Sequence, residues 1–214
     1  MIGTTTRKKN IPGENNQNVS EQSIFSVDSF SDEALNDPIL LLQEFDRLAL
    51  LGVNNEISKT DSHRPAQLTT EEDESLYNAF LNEVRQMKMS YSYKPILIKS
   101  MMQHADVNGR ASLMTIVDFF LTYFRERAAK GLIIEKEDST FVKHFNDKKV
   151  AKRTILIYPY KRFELKGMMK YDRAKEEIEI VPEIWDCVSN KVRRVIIAYC
   201  DMQLDKYYSH LSEK

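Results

Sequence analysis

Residues 143–181 read KHFNDKKVAKRTILIYPYKRFELKGMMKYDRAKEEIEIV, and this stretch decides the fold. Asp147 suits an N-cap, because a short acidic side chain there accepts from the free amides of a helix's first turn. The helix it opens, Lys148 to Tyr158, groups Lys148, Lys149, Lys152 and Arg153 on one side and Val150, Thr154, Ile155 and Tyr158 on the other. Such a helix packs and presents charge at once. Pro159 interrupts the pattern, so Tyr160–Lys166 is either a kinked continuation or a separate helical turn, closed by Gly167. A hairpin comes next: Met168 to Asp172, a tip at Arg173-Ala174-Lys175, and Glu176 to Val181. In the second strand Ile178 and Ile180 alternate with Glu177 and Glu179, as on a ribbon with one buried face. Pro182 ends it.

Between Lys143 and Lys175 eleven Lys or Arg stand against three acids. An excess of eight positive charges is the density that attracts phosphate; the alternative is an ordinary solvated helix surface. Tyr158, Tyr160 and Phe163 lie between the cations and favour nucleic acid. The candidate DNA-binding residues are therefore Lys148, Lys149, Lys152, Arg153, Lys161, Arg162, Lys166, Arg173 and Lys175, with Lys152 and Arg153 toward bases and Arg173 and Lys175 toward phosphate.

Outward from this stretch, Lys94–His104 reads as a helix with Leu97, Met101 and His104 on one side, ended by the turn sequence Asp106-Val107-Asn108-Gly109. Arg110-Ala111-Ser112 fits a short strand. Leu113–Lys130 is the strongest helix, with apolar residues at 113, 116, 117, 120, 123 and 124 and Gly131 just past its end. An irregular insert runs from about residue 132 to 146. Downstream, Val188, Val192, Val195, Tyr199 and Met202 succeed one another by fours and threes along a last helix. That seam fits a helical partner, either the domain itself or a second copy in a homodimer.

The front of the chain has another character. Residues 1–90 carry 8 Lys and Arg against 15 acids, a net of −7, and residues 91–214 carry 23 against 17, a net of +6. Residues 1–33 have too few apolar side chains to offset ordering entropy and are expected to be a disordered tail. Within 34–90, Asp37-Pro38 opens a helix with Ile39, Leu42, Phe45, Leu48 and Ala49 on one face. A polar linker runs from about 54 to 67. Thr70, as N-cap, opens a second helix with the stripe Leu76, Phe80, Leu81, Val84 and Met87. These stripes must be buried on the next domain or on a protein partner.

The order from Lys94 onward is helix, strand, helix, insert, helix, strand, strand, helix. The expected fold is mainly α with a small β-hairpin: a winged helix-turn-helix domain over 91–214 with a long final helix, preceded by amphipathic helices. The runs Tyr93-Lys94-Pro95-Ile96-Leu97-Ile98-Lys99, Phe119 to Phe124, Tyr158 to Phe163 and Leu165 to Asp172 resemble the winged-helix region appended to bacterial helicase and restriction-type defence proteins, over about residues 92–208. The resemblance implies a DNA-binding accessory or regulatory protein of an anti-phage defence or mobile-element system. The alternative is a non-catalytic adaptor that binds a larger enzyme through the winged helix and the front helices. No helicase motor accompanies the region, so no ATP-driven activity is expected of this chain.

Catalytic signatures are missing from the sequence. There is no P-loop, Gly-x-Ser-x-Gly elbow or His-Glu-x-x-His, and His63, His104, His144 and His210 have no partner at ligand spacing. Neither enzyme activity, cofactor nor metal is expected. Glu135-Lys136-Glu137-Asp138 reads as a solvated acidic loop rather than a nuclease centre, and Trp185 as a cap on the core. Cys187 and Cys200 are too few for a disulfide framework and read as reduced thiols. Without an apolar leader or an apolar run of membrane-spanning length, the expected compartment is the cytoplasm.

Overall fold

A computed structural model describes residues 35, 37–47 and 75–213; the expected tail, the linker and the Thr70 cap lie outside them. The protein is mainly helical with a small three-stranded antiparallel sheet. Its elements are α1 (38–47), α2 (Leu76–Gln86), α3 (Tyr93–His104), β1 (Arg110–Ser112), α4 (Leu113–Ala129), α5 (Lys148–Ile155), α6 (Lys161–Glu164), β2 (Met169–Asp172), β3 (Glu177–Ile180), α7 (Pro182–Trp185) and α8 (Asn190–Ser212). A 3-10 turn, Val142–His144, lies in the insert, and a π turn, Leu156–Tyr160, joins α5 to α6.

The sheet order is β1-β3-β2. Ala111 of β1 and Tyr171 of β2 both lie opposite Ile178 of the central strand. Ile178 and Ile180 are fully buried, as their alternation predicts. On the other face Arg110 pairs with Glu179 at 3.4 Å, directly across the ladder. The turn before β1 needs a glycine. Gly109 has φ +77°, and a Cβ there would sit 2.7 Å from Cγ of Trp185. That indole, 4% exposed, donates from Nε1 to the Val107 carbonyl and caps the core as expected.

One core runs from Leu41 and Phe45 on α1 to Tyr207 and Tyr208 on α8. Its aromatic centre is Tyr93, Phe120, Phe124 and Phe141, with ring centroids 4.9 to 6.2 Å apart. Phe141 comes from the insert, and burying it contributes about 2–3 kcal/mol; the insert is irregular, yet anchored. α2 buries Phe80, Leu81, Val84 and Met87 here, so its stripe is covered by the chain itself. Ser75 is its N-cap, accepting from the Asn78 amide. On α1 the buried residues are Leu41, Glu44 and Phe45, while Ile39 is 67% exposed, which corrects the expected apolar face at Ile39; Leu48 and Ala49 lie outside the described residues.

The seam on α8 is also internal. Val188, Val192, Val195 and Tyr199 are buried in the chain's own core, Met202 is partly buried against it, and α8 packs along α3, where Lys99 pairs with Asp201. The surface on which the homodimer expectation rested is therefore covered. Among the described residues no helix is long and apolar enough to cross a membrane.

Candidate nucleic-acid interface

α5 begins as its sequence dictates. Asp147 Oδ1 accepts from the amides of Lys149 (2.7 Å) and Val150 (3.3 Å). Ala151, Thr154 and Ile155 anchor the helix in the core, which leaves Lys148, Lys149, Lys152 and Arg153 on the outer side. They do not play one role. Lys148 pairs with Asp118 of α4 at 2.7 Å, and Lys152 bonds Glu176 at the end of the hairpin tip. The Glu176 bond raises the Lys152 ammonium above its ordinary range. Lys149 and Arg153 are exposed and make no ion pair with any described residue.

The hairpin tip is built by Asp172, whose Oδ1 accepts from the amides of Ala174 (2.9 Å) and Lys175 (3.2 Å). Glu176, at φ 54°, turns the chain into β3. Lys170, Arg173 and Lys175 stand exposed on this ribbon; among the described residues only Lys175 of the three makes an ion pair, with Asp172 at 3.9 Å, while Lys170 lies across the ladder from Glu179 and the charge of Arg173 acts on Glu164. Through Lys152 and Glu176 the basic side of α5 abuts this tip.

The other candidates belong to a different cluster. The helix does not stop at Pro159: it continues through the π turn, where a looser backbone register accommodates a residue without an N–H. The extra residue rotates the downstream turn about the helix axis. Pro159, Tyr160 and Phe163 become buried, while Tyr158, expected on the packed side, is 52% exposed. Lys161 pairs with Glu164. Arg162 (3.8 Å) and Lys166 instead converge with Lys94 (2.7 Å) on Glu83 of α2, a carboxylate only 8% exposed. Burial pushes the Glu83 carboxyl up, but hydrogen bonds from Lys166 and Lys94, with their charges, outweigh it and hold the group below its ordinary range. Glu83 is a residue that sequence reasoning missed. Its position three after Phe80 and four before Met87, on the apolar face of α2, was the available signal.

Glu135 corrects the solvated-loop expectation. It is 3% exposed and accepts from the Ser92 amide (2.7 Å), the Ser92 hydroxyl (2.6 Å) and the Tyr207 hydroxyl. Nearby the Tyr208 hydroxyl donates to the Ile134 carbonyl at 2.9 Å, and the Arg127 guanidinium lies 3.3 Å from the Tyr208 ring centroid. This network clamps the insert to α3 and α8. Burial pushes both phenols up. Among the described residues no group of three or more His, Cys, Asp or Glu is placed to hold a metal. His104 lies against Phe119, and His210 is 3.7 Å from Glu213. His63 lies outside the described residues. Cys187 and Cys200 form no disulfide; Cys187 Sγ lies 3.9 Å from the Glu183 carbonyl, and burial pushes the fully enclosed Cys200 up.

No protein-family model matches the chain, and no curated protein or solved structure matches it at a significant level.

Proposed function

We propose that the chain is a duplex-DNA-binding protein of the winged-helix type, with α4 and α5 as the helix-turn-helix pair, α5 as the recognition helix and β2–β3 as the wing. The element order and the β1-β3-β2 sheet support this reading. The observation that carries it is a juxtaposition. Lys149 and Arg153 on α5, without an ion pair among the described residues, stand beside exposed Lys170, Arg173 and Lys175 on the hairpin, the two elements joined by Lys152 and Glu176. In such proteins the helix enters the major groove and the wing reaches backbone or minor groove. Lys149 and Arg153 then face the groove, while Arg173 and Lys175 track the phosphates. The resemblance to winged-helix regions of bacterial helicase and restriction-type defence proteins supports a non-enzymatic accessory or regulatory role in an anti-phage or mobile-element system.

An adaptor role is the second reading. Ile39 and Leu40, 67% and 42% exposed on α1, favour it by offering an apolar surface to a protein partner.

Anisotropy of a labelled duplex across a salt series separates the two. The DNA reading expects retention at low salt. Lys149→Glu with Arg153→Glu lowers affinity at least about tenfold and flattens the log K against log [salt] slope by about two units, with unchanged melting. No retention at low salt refutes the DNA reading and leaves the adaptor.

A further inference from the structure

Beside the far end of the recognition helix lies a cleft of about 490 Å³, between the segment after α2 and the π turn. Its size is that of a small-ligand site, and its lining is divided by chemistry. Tyr91, Tyr93 and Tyr158 supply rings: Tyr91 and Tyr93 stack at 5.2 Å with planes 18° apart, and Tyr158 meets Tyr91 edge-on at 6.4 Å. Lys88, Lys94 and Arg162 supply the charge, and among the described residues no carboxylate lines the cleft. Behind it Glu83 is one anion against three cations, Lys94, Arg162 and Lys166. Lys166 lines the neighbouring pocket, so at this cleft Lys94 and Arg162 exceed Glu83 by one charge, and exposed Lys88, without an ion pair among the described residues, adds a second on the side away from Asp138, whose charge acts on Tyr91.

An exposed ring beside uncompensated cations is the chemistry that holds a base by its face and its phosphate by charge. The cleft also continues the proposed DNA face. Lys149, Arg153 and Ile157 succeed one another by fours along the exposed side of the helix, and Ile157 lines the cleft. A base inside a duplex is covered on both faces, so only an unstacked nucleotide can enter. We propose that the cleft takes one unpaired nucleotide of a strand leaving the bound duplex, its base on exposed Tyr158 and its phosphate on Lys88 and Arg162, with Tyr91, stacked on Tyr93 and under the Lys136 ammonium, as the fixed wall behind. The ligand is then a junction between duplex and single strand. This rests on the DNA-binding reading and specifies which DNA.

The test compares a blunt duplex with the same duplex bearing a short single-stranded overhang of either polarity, with 2-aminopurine as the first unpaired base. The full chain is expected to bind one overhang about tenfold tighter than the blunt duplex, the size of one base–aromatic stack, and to quench the 2-aminopurine. Tyr158→Ala and Lys88→Glu, both at exposed positions, each remove that advantage and leave blunt-duplex affinity within about twofold. Equal affinity for blunt and overhanging DNA overturns the cleft assignment while the DNA reading stands. An overhang preference that survives both variants also overturns it. Failure to bind either DNA overturns both readings together.

Discussion

Replacing Glu83 by alanine tests the charge cluster that anchors the end of α6 to α2. The consequence depends on where the three cations go. Arg162 and Lys166 keep 56% and 43% of their side-chain surface exposed, so both return to water when the carboxylate is lost. Lys94 is only 9% exposed and stays behind as a buried ammonium without its acid. Stranding one member of a buried pair costs about 3–5 kcal/mol. With one stranded charge rather than three, about 3 kcal/mol is expected, a fall in Tm of about 6–12 °C for a domain of this size. Glu83→Leu with Lys94→Met removes both buried charges and should recover most of the loss.

Urea melts of the two variants and the wild type measure this at neutral pH. They also carry a pH signature. The folded Glu83 carboxyl lies below its ordinary value of 4.5, so the unfolded chain binds the proton more readily. Its stabilisation is then fully present above about pH 4.5 and is lost as pH falls through the lower folded value. The gap between wild type and Glu83→Ala should therefore narrow toward about pH 3. A loss below about 1 kcal/mol at neutral pH, or a gap that does not change on acidification, refutes the reasoning.

Gly109→Ala combines a positive φ with a Cβ 2.7 Å from Trp185. It should cost about 2–4 kcal/mol and shift the emission of the chain's single tryptophan. Glu135→Ala leaves Ser92 and Tyr207 without their acceptor and is expected to cost about 2–4 kcal/mol; limited proteolysis should then cut first within residues 132–146, whereas an unchanged cleavage map would show that the clamp holds nothing. Val195→Asp places a charge at a position with no exposed surface and should give unfolded or aggregated protein by light scattering. A soluble, folded monomer would return the α8 seam to an intermolecular role.

The elements were legible in the sequence wherever periodicity and punctuation agreed. Leu113 to Ala129 has a clean helical stripe, and Asp147, Gly167 and Pro182 mark boundaries that the chain uses. The strands of the hairpin were readable from the alternation in Glu177–Ile180. The side assignments failed where backbone register broke. No periodicity rule anticipates a π turn, and that turn carried Tyr158 to the surface while Tyr160 and Phe163 went into the core. Charge was legible as density but not as pairing. Arg162 and Lys166 look identical to Lys149 and Arg153 in sequence, and only the fold brings them to an acid 79 and 83 residues earlier. Glu135 was misread because a carboxylate among Lys136, Glu137 and Asp138 gives no local sign that tyrosines and a serine from distant helices enclose it. The α8 stripe predicted a helical neighbour correctly, but a seam does not say whose helix it meets.

α8 has a bearing on how the chain is made. Tyr199 donates to the Arg85 carbonyl at 2.7 Å, the Tyr207 hydroxyl bonds Glu135, and Tyr208 reaches Ile134 at 2.9 Å. Each of these partners lies upstream of the helix that holds it. During synthesis α2, α3 and the insert leave the ribosome with their receptor for α8 open, and its apolar lining stays exposed until residues near 208 have emerged. The hairpin and α5 need no such wait, since the elements they pack on, β1 and α4, have already emerged. The basic half of the fold can thus meet its upstream neighbours before α8 closes the core, and nascent chains should be most vulnerable to aggregation in that interval.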